Sequence, residues 1–200
     1  SQQEPPFPPK FVCMRTPFWD QMDLDAQEAF NALVQALGDQ AVIIELPEIS
    51  KVAVDRLRTI VDAEFASVMS EHLTHASEAV SEKVRQIVAR GTAIKAVDYL
   101  KAKEGIEPAI AGFDEFFDRF DAILTPASLG SAPKGLESTG DAIMNALWSY
   151  TGMPAITLPL LQSADGLPIG IQLVGASHDD ARLLRSANWL LKNFDDIAGD

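Results

Sequence analysis

The sequence predicts an α/β fold in which a mixed, mainly parallel sheet is flanked by helices and ends in an antiparallel hairpin near the carboxyl terminus. Three observations lead to this prediction. A strand, a helix and a second strand follow one another near the start, a long helical tract comes next, and two apolar runs near the end are joined by Asp165-Gly166. We expect residues 1–10 to be a proline-rich lead-in and residues 11–200 to form a single domain.

The first part of the chain predicts a βαβ unit. "FVCMRT" is typical of a short buried strand, and "AVIIELP", which ends at Pro47, is a second apolar run rich in β-branched residues. Between them, "DLDAQEAFNALVQALGD" has apolar residues at helical spacing, with Asp23 or Asp25 as the cap and Gly38 as the stop. Two strands joined by a helix are expected to pair in parallel.

A long helical tract follows, from about Val52 to Leu100, with one predicted break near Gly91. "EPAIAGFDEFFDRF" predicts another helix, whose phenylalanines recur at the three- and four-residue spacing of a buried face. We therefore assign this stripe to the core rather than to a ligand site. Its members are Phe113, Phe116, Phe117 and Phe120.

The carboxy-terminal part predicts three strands and two helices. "DAILTPAS" is a short buried strand that runs into a loop, and "AIMNALWSYTG" is a helix that ends at Gly152, with Pro154 just beyond it. "PAITLPL" and "LPIGIQLVG" are strands that the Asp-Gly turn should pair in an antiparallel hairpin. The final helix, "HDDARLLRSANWLLKNF", can be capped by Asp179 or Asp180.

Composition limits the choice of partners and compartment. The formal net charge is −13 and no cluster of lysine or arginine offsets it, so we expect neither nucleic acid nor a membrane as a partner. No apolar run approaches the roughly 20 residues that span a bilayer, and "SQQEPPFPPK" does not resemble a signal peptide. The single cysteine, Cys13, excludes an internal disulfide and fits a reducing compartment. We expect the protein to be cytoplasmic.

One helical segment carries residues that ligate metals in other proteins. Glu71, His72, His75 and Glu78 are spaced so that their side chains share a helix face. No second group of histidines or carboxylates completes a ligand set. We therefore interpret these residues as a solvated face and expect neither a metal nor a cofactor.

The candidate nucleophiles lack the context that catalysis requires. Ser131 and Lys134 have the Ser-x-x-Lys spacing of penicillin-recognising enzymes, but they lie in the loop sequence "GSAPKG" and the companion motifs are absent. Cys13 lies within a predicted buried strand, and His178 is more typical of a capping or surface residue than of a base. No Gly-x-Ser-x-Gly, P-loop or His-Glu-x-x-His motif occurs. The residues by themselves identify no catalytic set.

Three linked motifs nevertheless resemble a known family. "FDAILTPAS", "LWSYTGMPAITLPL" and "DGLPIGIQLVG", followed by a closing helix, resemble in order and spacing the carboxy-terminal portion of the amidase signature family. Weaker resemblance extends back through "VCMRTPFWDQMDLDAQEAFNALVQAL". The resemblance implies hydrolysis of a carbon–nitrogen amide bond by two serines and a lysine. In the family those residues lie upstream of the matched region, and no Gly/Ser-rich run like theirs occurs here, so we assign no catalytic residue.

The resemblance also implies where a substrate pocket would lie. In the family this half completes the sheet and forms walls of the acyl pocket. The loop from Thr125 to Ser128 and the segment from Trp148 to Thr151 are the expected neighbours, which makes Thr125, Trp148, Tyr150 and Thr151 the substrate-binding candidates. Tyr150 stands where many relatives carry asparagine, and core packing at a helix end is the alternative interpretation of Trp148 and Tyr150.

Three interpretations of function follow. The first is the carboxy-terminal portion of an amidase, which lacks the Ser-Ser-Lys set, is inactive alone and contributes to a small-molecule amide site in a longer parent. The second is a non-enzymatic binding or scaffold module derived from an amidase. The third is an independent hydrolase that uses Ser131 and Lys134. Half of a sheet would expose apolar edges, so we also expect self-association.

Overall fold

The computed structural model describes residues 4–46, 49–76 and 80–198. Within these ranges one sheet contains five strands, namely β1 (Phe11–Arg15), β2 (Ala41–Glu45), β3 (Ala122–Pro126), β4 (Ala155–Gln162) and β5 (Pro168–Val174). The same ranges contain seven α-helices, namely α1 (Leu24–Leu37), α2 (Ile49–Ala76), α3 (Glu82–Ala93), α4 (Ala96–Glu104), α5 (Ile106–Phe117), α6 (Ala146–Thr151) and α7 (Asp180–Ala198). A short 3-10 turn, Ile143–Asn145, leads into α6.

The strand order in the sheet is β2-β1-β3-β5-β4. β1 pairs in parallel with both β2 and β3, whereas β5 is antiparallel to both β3 and β4. Four strands therefore run in one direction and β5 runs in the other. This confirms the mixed, mainly parallel sheet, the βαβ unit and the carboxy-terminal hairpin. Pro47, which was expected to end the second strand, lies outside the described residues.

Helices cover both faces of the sheet because successive strand residues point to opposite sides. Phe11 and Cys13 of β1 pack in a cluster with α1 and α7. Val12 and Met14 pack on the other face with residues of α2, α5 and α6. The phenylalanine stripe lies on this second face, which confirms its assignment to the core: Phe113 and Phe117 are buried, and Phe116 and Phe120 pack against the same cluster.

The glycines predicted to end helices or to form the hairpin turn lie where expected. α1 ends at Leu37, directly before Gly38. α6 ends before Gly152, whose φ of 67° places it in the left-handed region that favours glycine. Gly166 has a φ of 78° in the turn between β4 and β5. These positions match the sequence-based boundaries because each depends on a local backbone requirement.

Aspartate side chains accept hydrogen bonds from backbone N–H groups at the starts of α7 and α1. The Asp179 carboxylate accepts a hydrogen bond from the Arg182 backbone N–H at 3.3 Å, so Asp179 rather than Asp180 caps α7. At α1, the Asp23 side chain makes no capping hydrogen bond. The Asp25 carboxylate accepts from the backbone N–H of Ala26 in the first turn of α1 at 2.8 Å. It also accepts from the backbone N–H of Ala164 at 2.9 Å, which joins the start of α1 to the β4–β5 turn.

The helical tract is divided more often than the sequence predicted. The expected break near Gly91 is present between the end of α3 at Ala93 and the start of α4 at Ala96. A second division separates α2 from α3. Ser81 caps α3 there, because its hydroxyl accepts a hydrogen bond from the Val84 backbone N–H at 3.4 Å. None of the helices in the described ranges combines the length and apolarity that a bilayer crossing requires.

One outer strand of the sheet is poorly covered. On β2, Val42 is 47% exposed and Ile43 is 50% exposed, and the two side chains point to opposite faces. Both faces of this strand therefore present apolar side chains, and no further strand of the described residues pairs with its outer edge. This agrees with the apolar edge that the sequence led us to expect.

Candidate functional site

At the carboxyl end of β3, the first segment predicted to border a pocket lies against the turn that leads into the second. Gln172 of β5 is 1% exposed, and its Nε2 donates to the carbonyl oxygens of Pro126 at 3.0 Å and Met144 at 3.1 Å. Asn145 donates from Nδ2 to the carbonyl oxygen of Ala127 at 3.0 Å. These three hydrogen bonds hold the loop after β3 against the 3-10 turn that leads into α6.

Thr125 and Trp148 are buried on the same side of the sheet. Thr125 shares its strand face with Ile123, which packs in the same cluster as Trp148. The Trp148 ring packs edge-on against Phe113 with the ring centroids 5.4 Å apart. Within the described residues, neither the Thr125 hydroxyl nor the Trp148 indole N–H has a hydrogen-bond partner. Buried polar atoms without partners are uncommon in folded proteins. Each of these two groups could therefore still form a hydrogen bond.

Tyr150 and Thr151 use their hydroxyl groups inside the protein. Tyr150 is 3% exposed, and its hydroxyl donates to the carbonyl oxygen of Ala102 in α4 at 2.6 Å. Thr151 is also buried and donates to the carbonyl oxygen of Leu147 at 3.0 Å. Tyr150 therefore packs in the core and joins α6 to α4. Contact of either residue with a substrate stays a prediction.

The unpaired hydroxyl of Thr125 leads to a stability prediction. We expect Thr125→Val to raise the free energy of unfolding by about 1 kcal/mol, because valine has nearly the same shape and removes a buried polar group without a partner. Thr151→Val is the matched control, and we expect it to lower the same quantity by about 1 kcal/mol because a hydrogen bond is lost. Urea unfolding measures both changes. Equal destabilisation by the two substitutions would contradict the assignment of Thr125 as unpaired.

A cavity of about 300 Å³ lies between α2 and the segment from Asp141 to Ser149. We call it the α2 cavity. Its apolar wall includes Val54, Leu57 and Val61 of α2 and Ile143 and Ala146 on the other side. Three charged residues also line it: Arg58, Asp62 and Asp141.

A second cavity, of about 510 Å³, lies within the loop after β3. We call it the loop cavity. Its lining includes the hydroxyl-bearing residues Ser128, Ser131 and Thr139 and the acidic residues Asp23 and Asp141. Thr125, Tyr150 and Thr151 line neither cavity, whereas Trp148 borders a small space of about 10 Å³ beside α6.

The structure does not assemble the candidate nucleophiles into a catalytic set. Ser131 borders the loop cavity, but Lys134 is exposed, and within the described part of the chain no hydrogen bond joins the two. His178 has a φ of 65° in the turn before α7. Burial raises the pKa of the Cys13 thiol to about 12, so this thiol stays protonated at neutral pH and is a poor nucleophile.

The metal interpretation gains no support from the described residues. Across residues 4–46, 49–76 and 80–198, no three histidine, cysteine or acidic side chains are close enough to hold a metal ion. Glu71, His72 and His75 are exposed on α2, and Glu78 lies outside the described residues.

Comparison with known sequences identifies the family. The family model described as Amidase matches residues 4–184. This range covers most of the chain, so the chain belongs to the amidase family. The resemblance drawn from the three sequence motifs is thereby confirmed.

Individual relatives match only in part. The chain is 31% identical over 182 residues to 2-amino-5-chloromuconic acid deaminase of Comamonas testosteroni, covering 84% of this chain and 39% of that protein. It is 38% identical over 96 residues to a glutamyl-tRNA(Gln) amidotransferase subunit of Agathobacter rectalis, covering 44% and 19%. A crystal structure of an amidase has a TM-score of 0.82 at 22% identity, covering 96% of this chain and 48% of that one. The chain thus spans less than half the length of each of these proteins.

Sequence reasoning missed the residues that organise the site and line the α2 cavity. Gln172 is the one polar side chain in the apolar run "LPIGIQLVG", which is a usable signal for a buried hydrogen-bonding role. Arg58 is a charged residue next to Leu57, where it interrupts the apolar stripe of α2, and this is a signal of the same kind. Asn145 and Asp141 carry no comparable signal, because their roles depend on how the loop after β3 folds back.

Proposed function

We propose that this chain is the carboxy-terminal half of an amidase that hydrolyses a carbon–nitrogen amide bond in a small molecule. The observation that carries the proposal is the family match through residues 4–184, combined with coverage of only 39% of the deaminase and 48% of the amidase structure. Under this proposal the two serines and the lysine of the family lie in sequence outside these 200 residues. The chain alone is then catalytically inactive.

The structure supports a scaffold role for this half. A nucleophilic serine needs an adjacent base and donors for the oxyanion, and Ser131 has no such base bonded to it within the described residues. What the chain does provide is a hydrogen-bonded wall, in which Gln172 and Asn145 hold the end of β3 against the turn before α6. Thr125 and Trp148 are the residues of this wall that we propose lie nearest the acyl pocket. Serine-based amide hydrolysis of this kind requires no metal or cofactor.

Hydrolysis assays of the purified chain test the proposal. We expect no turnover of a panel of aliphatic and aromatic amides, and no labelling by a fluorophosphonate that reacts with activated serines. A full-length active amidase serves as the positive control. Labelling of this chain that disappears in Ser131→Ala would establish the independent hydrolase and overturn the proposal.

The second candidate is a binding or scaffold module derived from an amidase. The exposed β2 edge favours it, because an apolar strand edge is a ready surface for another chain. One of the relatives is by name part of an amidotransferase that has more than one kind of chain. In this interpretation the chain occurs naturally by itself and its role is to bind a partner.

Either role leads us to propose self-association of the isolated chain through the β2 edge. Light scattering at micromolar concentration should give about twice the 21.7 kDa of one chain. Ile43→Lys should shift the mass toward one chain, because a charge on an edge strand opposes pairing. Leu136→Lys is the control, since Leu136 is fully exposed in a loop. A monomeric mass for the unmodified chain would contradict the proposal.

The remaining assignments concern organisation and compartment. We propose that residues 11–200 form one domain behind the lead-in of residues 1–10. We also propose a cytoplasmic location, supported by the single buried, unpaired Cys13. The net charge of −13 supports the proposal that neither nucleic acid nor a membrane is a partner.

A further inference from the structure

The loop between β3 and the turn before α6 is the longest stretch without a helix or strand in the described residues. It runs from residue 127 to residue 142, and every residue from 132 to 142 is exposed. Leu136 is 100% exposed, although its side chain is apolar. The middle of this loop therefore projects into solvent instead of packing against the rest of the chain.

Hydrogen bonds do not fix the middle of the loop either. Within the described residues, no backbone N–H or carbonyl group from residue 131 to residue 137 makes a hydrogen bond. Beyond this stretch, the Ser138 hydroxyl accepts a hydrogen bond from the Gly140 backbone N–H at 3.1 Å. Residues 131–137 can therefore become extended without the loss of any backbone hydrogen bond, which keeps the cost of local opening low.

Lys134 lies in this unbonded stretch and is followed by Gly135. Among the other lysines and arginines in the described ranges, Lys10, Lys95 and Arg119 lie in short connections and the rest lie in helices or strands. The backbone of each of these three residues makes at least one hydrogen bond, at 2.7 to 3.1 Å. Lys134 is thus the basic residue of the described ranges whose backbone is least constrained.

We propose that the peptide bond between Lys134 and Gly135 is a site of limited proteolysis by a protease that cleaves after lysine. Such a protease binds the lysine side chain through a carboxylate in its specificity pocket, and exposed loop tips are the preferred sites of cleavage. Hydrolysis consumes one water molecule and leaves a carboxylate on Lys134 and an ammonium group on Gly135. The assignment rests on the loop alone, and it holds whether or not the chain is half of an amidase.

Contacts across the cut keep the two pieces together. β3, which precedes the loop, pairs with β5, which follows it, from Ile123 to Pro126. Gln172 donates to the Pro126 carbonyl oxygen at 3.0 Å, and Arg182 forms an ion pair with Asp121 at 3.0 Å. None of these contacts involves the loop itself. We therefore expect the cut protein to keep its fold and to remain one particle.

Limited digestion with trypsin, followed by mass spectrometry, tests the assignment. We expect one early cut that yields residues 1–134 and 135–200, and the two pieces should elute together from a size-exclusion column without denaturant. Lys134→Gln should slow the loss of the intact chain about tenfold or more, because the remaining sites require local unfolding. Lys95→Gln is the matched control and should be cut as fast as the unmodified chain, since Lys95 is exposed but its carbonyl oxygen is hydrogen-bonded.

A glutamate-specific protease tests the openness of the loop independently of the lysine. Glu137 is exposed in the same stretch, so this enzyme should cut after Glu137 equally fast in the unmodified chain and in Lys134→Gln. A first tryptic cut at any other position, equal tryptic digestion of Lys134→Gln and the unmodified chain, or protection of Glu137 would overturn the assignment. Separation of the two pieces without denaturant would contradict the prediction of a single particle.

Discussion

Gly91→Ala is expected to lower the free energy of unfolding by about 2–3 kcal/mol, because the added methyl group has no space where α3 crosses α2. A Cβ atom at this position would overlap the carbonyl oxygen of Asp62 and lie 2.6 Å from the Cβ of Ala66. Both obstacles belong to α2, and the first is backbone, so the helices would have to move apart. The same crossing carries the Arg90–Asp62 ion pair, which the movement would disturb.

Gly112→Ala is the matched control for this substitution. Gly112 lies in α5, and a Cβ atom there meets nothing within 4 Å. We expect this variant to gain about 0.5–1 kcal/mol, because alanine is the better helix former. Urea unfolding of both variants measures the difference. Stabilisation by Gly91→Ala similar to that by Gly112→Ala would show that α2 and α3 can separate at little cost.

Gln172→Met is expected to lower the free energy of unfolding by about 2–4 kcal/mol. The substitution keeps a similar volume but removes both hydrogen bonds from Nε2, to the carbonyl oxygens of Pro126 and Met144. Those oxygens lose a partner in a region where Gln172 itself is 1% exposed, so water cannot readily replace the amide. The loop after β3 would also lose a connection to the turn before α6.

Gln162→Met provides the comparison for this variant. Gln162 is exposed on β4, so its replacement should change the free energy of unfolding by no more than about 0.5 kcal/mol. Hydrogen exchange gives a second readout, since Gln172→Met should accelerate exchange in the 143–151 segment more than in β1. Equal effects of the two substitutions on stability would mean that Gln172 does not organise the site.

The sequence predicted the elements that depend on local patterns. The βαβ unit follows from apolar runs and helical spacing, and the hairpin follows from the Asp-Gly turn, where Gly166 has positive φ. The strand order could not be predicted, because it depends on pairings between distant segments. β1, for example, lies between β2 and β3, and β3 follows it in the sequence only after β2 and the helices α1 to α5.

The site was predictable only in part for the same reason. The family motifs drew attention to Thr125 and Trp148, and the structure buries both on one face of the sheet. Tyr150 could have faced a pocket or the core, and its bond to Ala102 depends on the fold bringing the α4 backbone within reach of its hydroxyl. The α2 cavity was not predictable, because Arg58 and Asp141 are brought together only when α2 packs against the turn before α6.

We propose above that these 200 residues are part of a longer amidase. The most direct test is an immunoblot of the source cells with an antibody raised against this region, which measures the size of the native gene product. We predict a band far above 21.7 kDa, consistent with an active half on the same chain. A single band at 21.7 kDa would contradict the claim and make a partner-binding module the better interpretation.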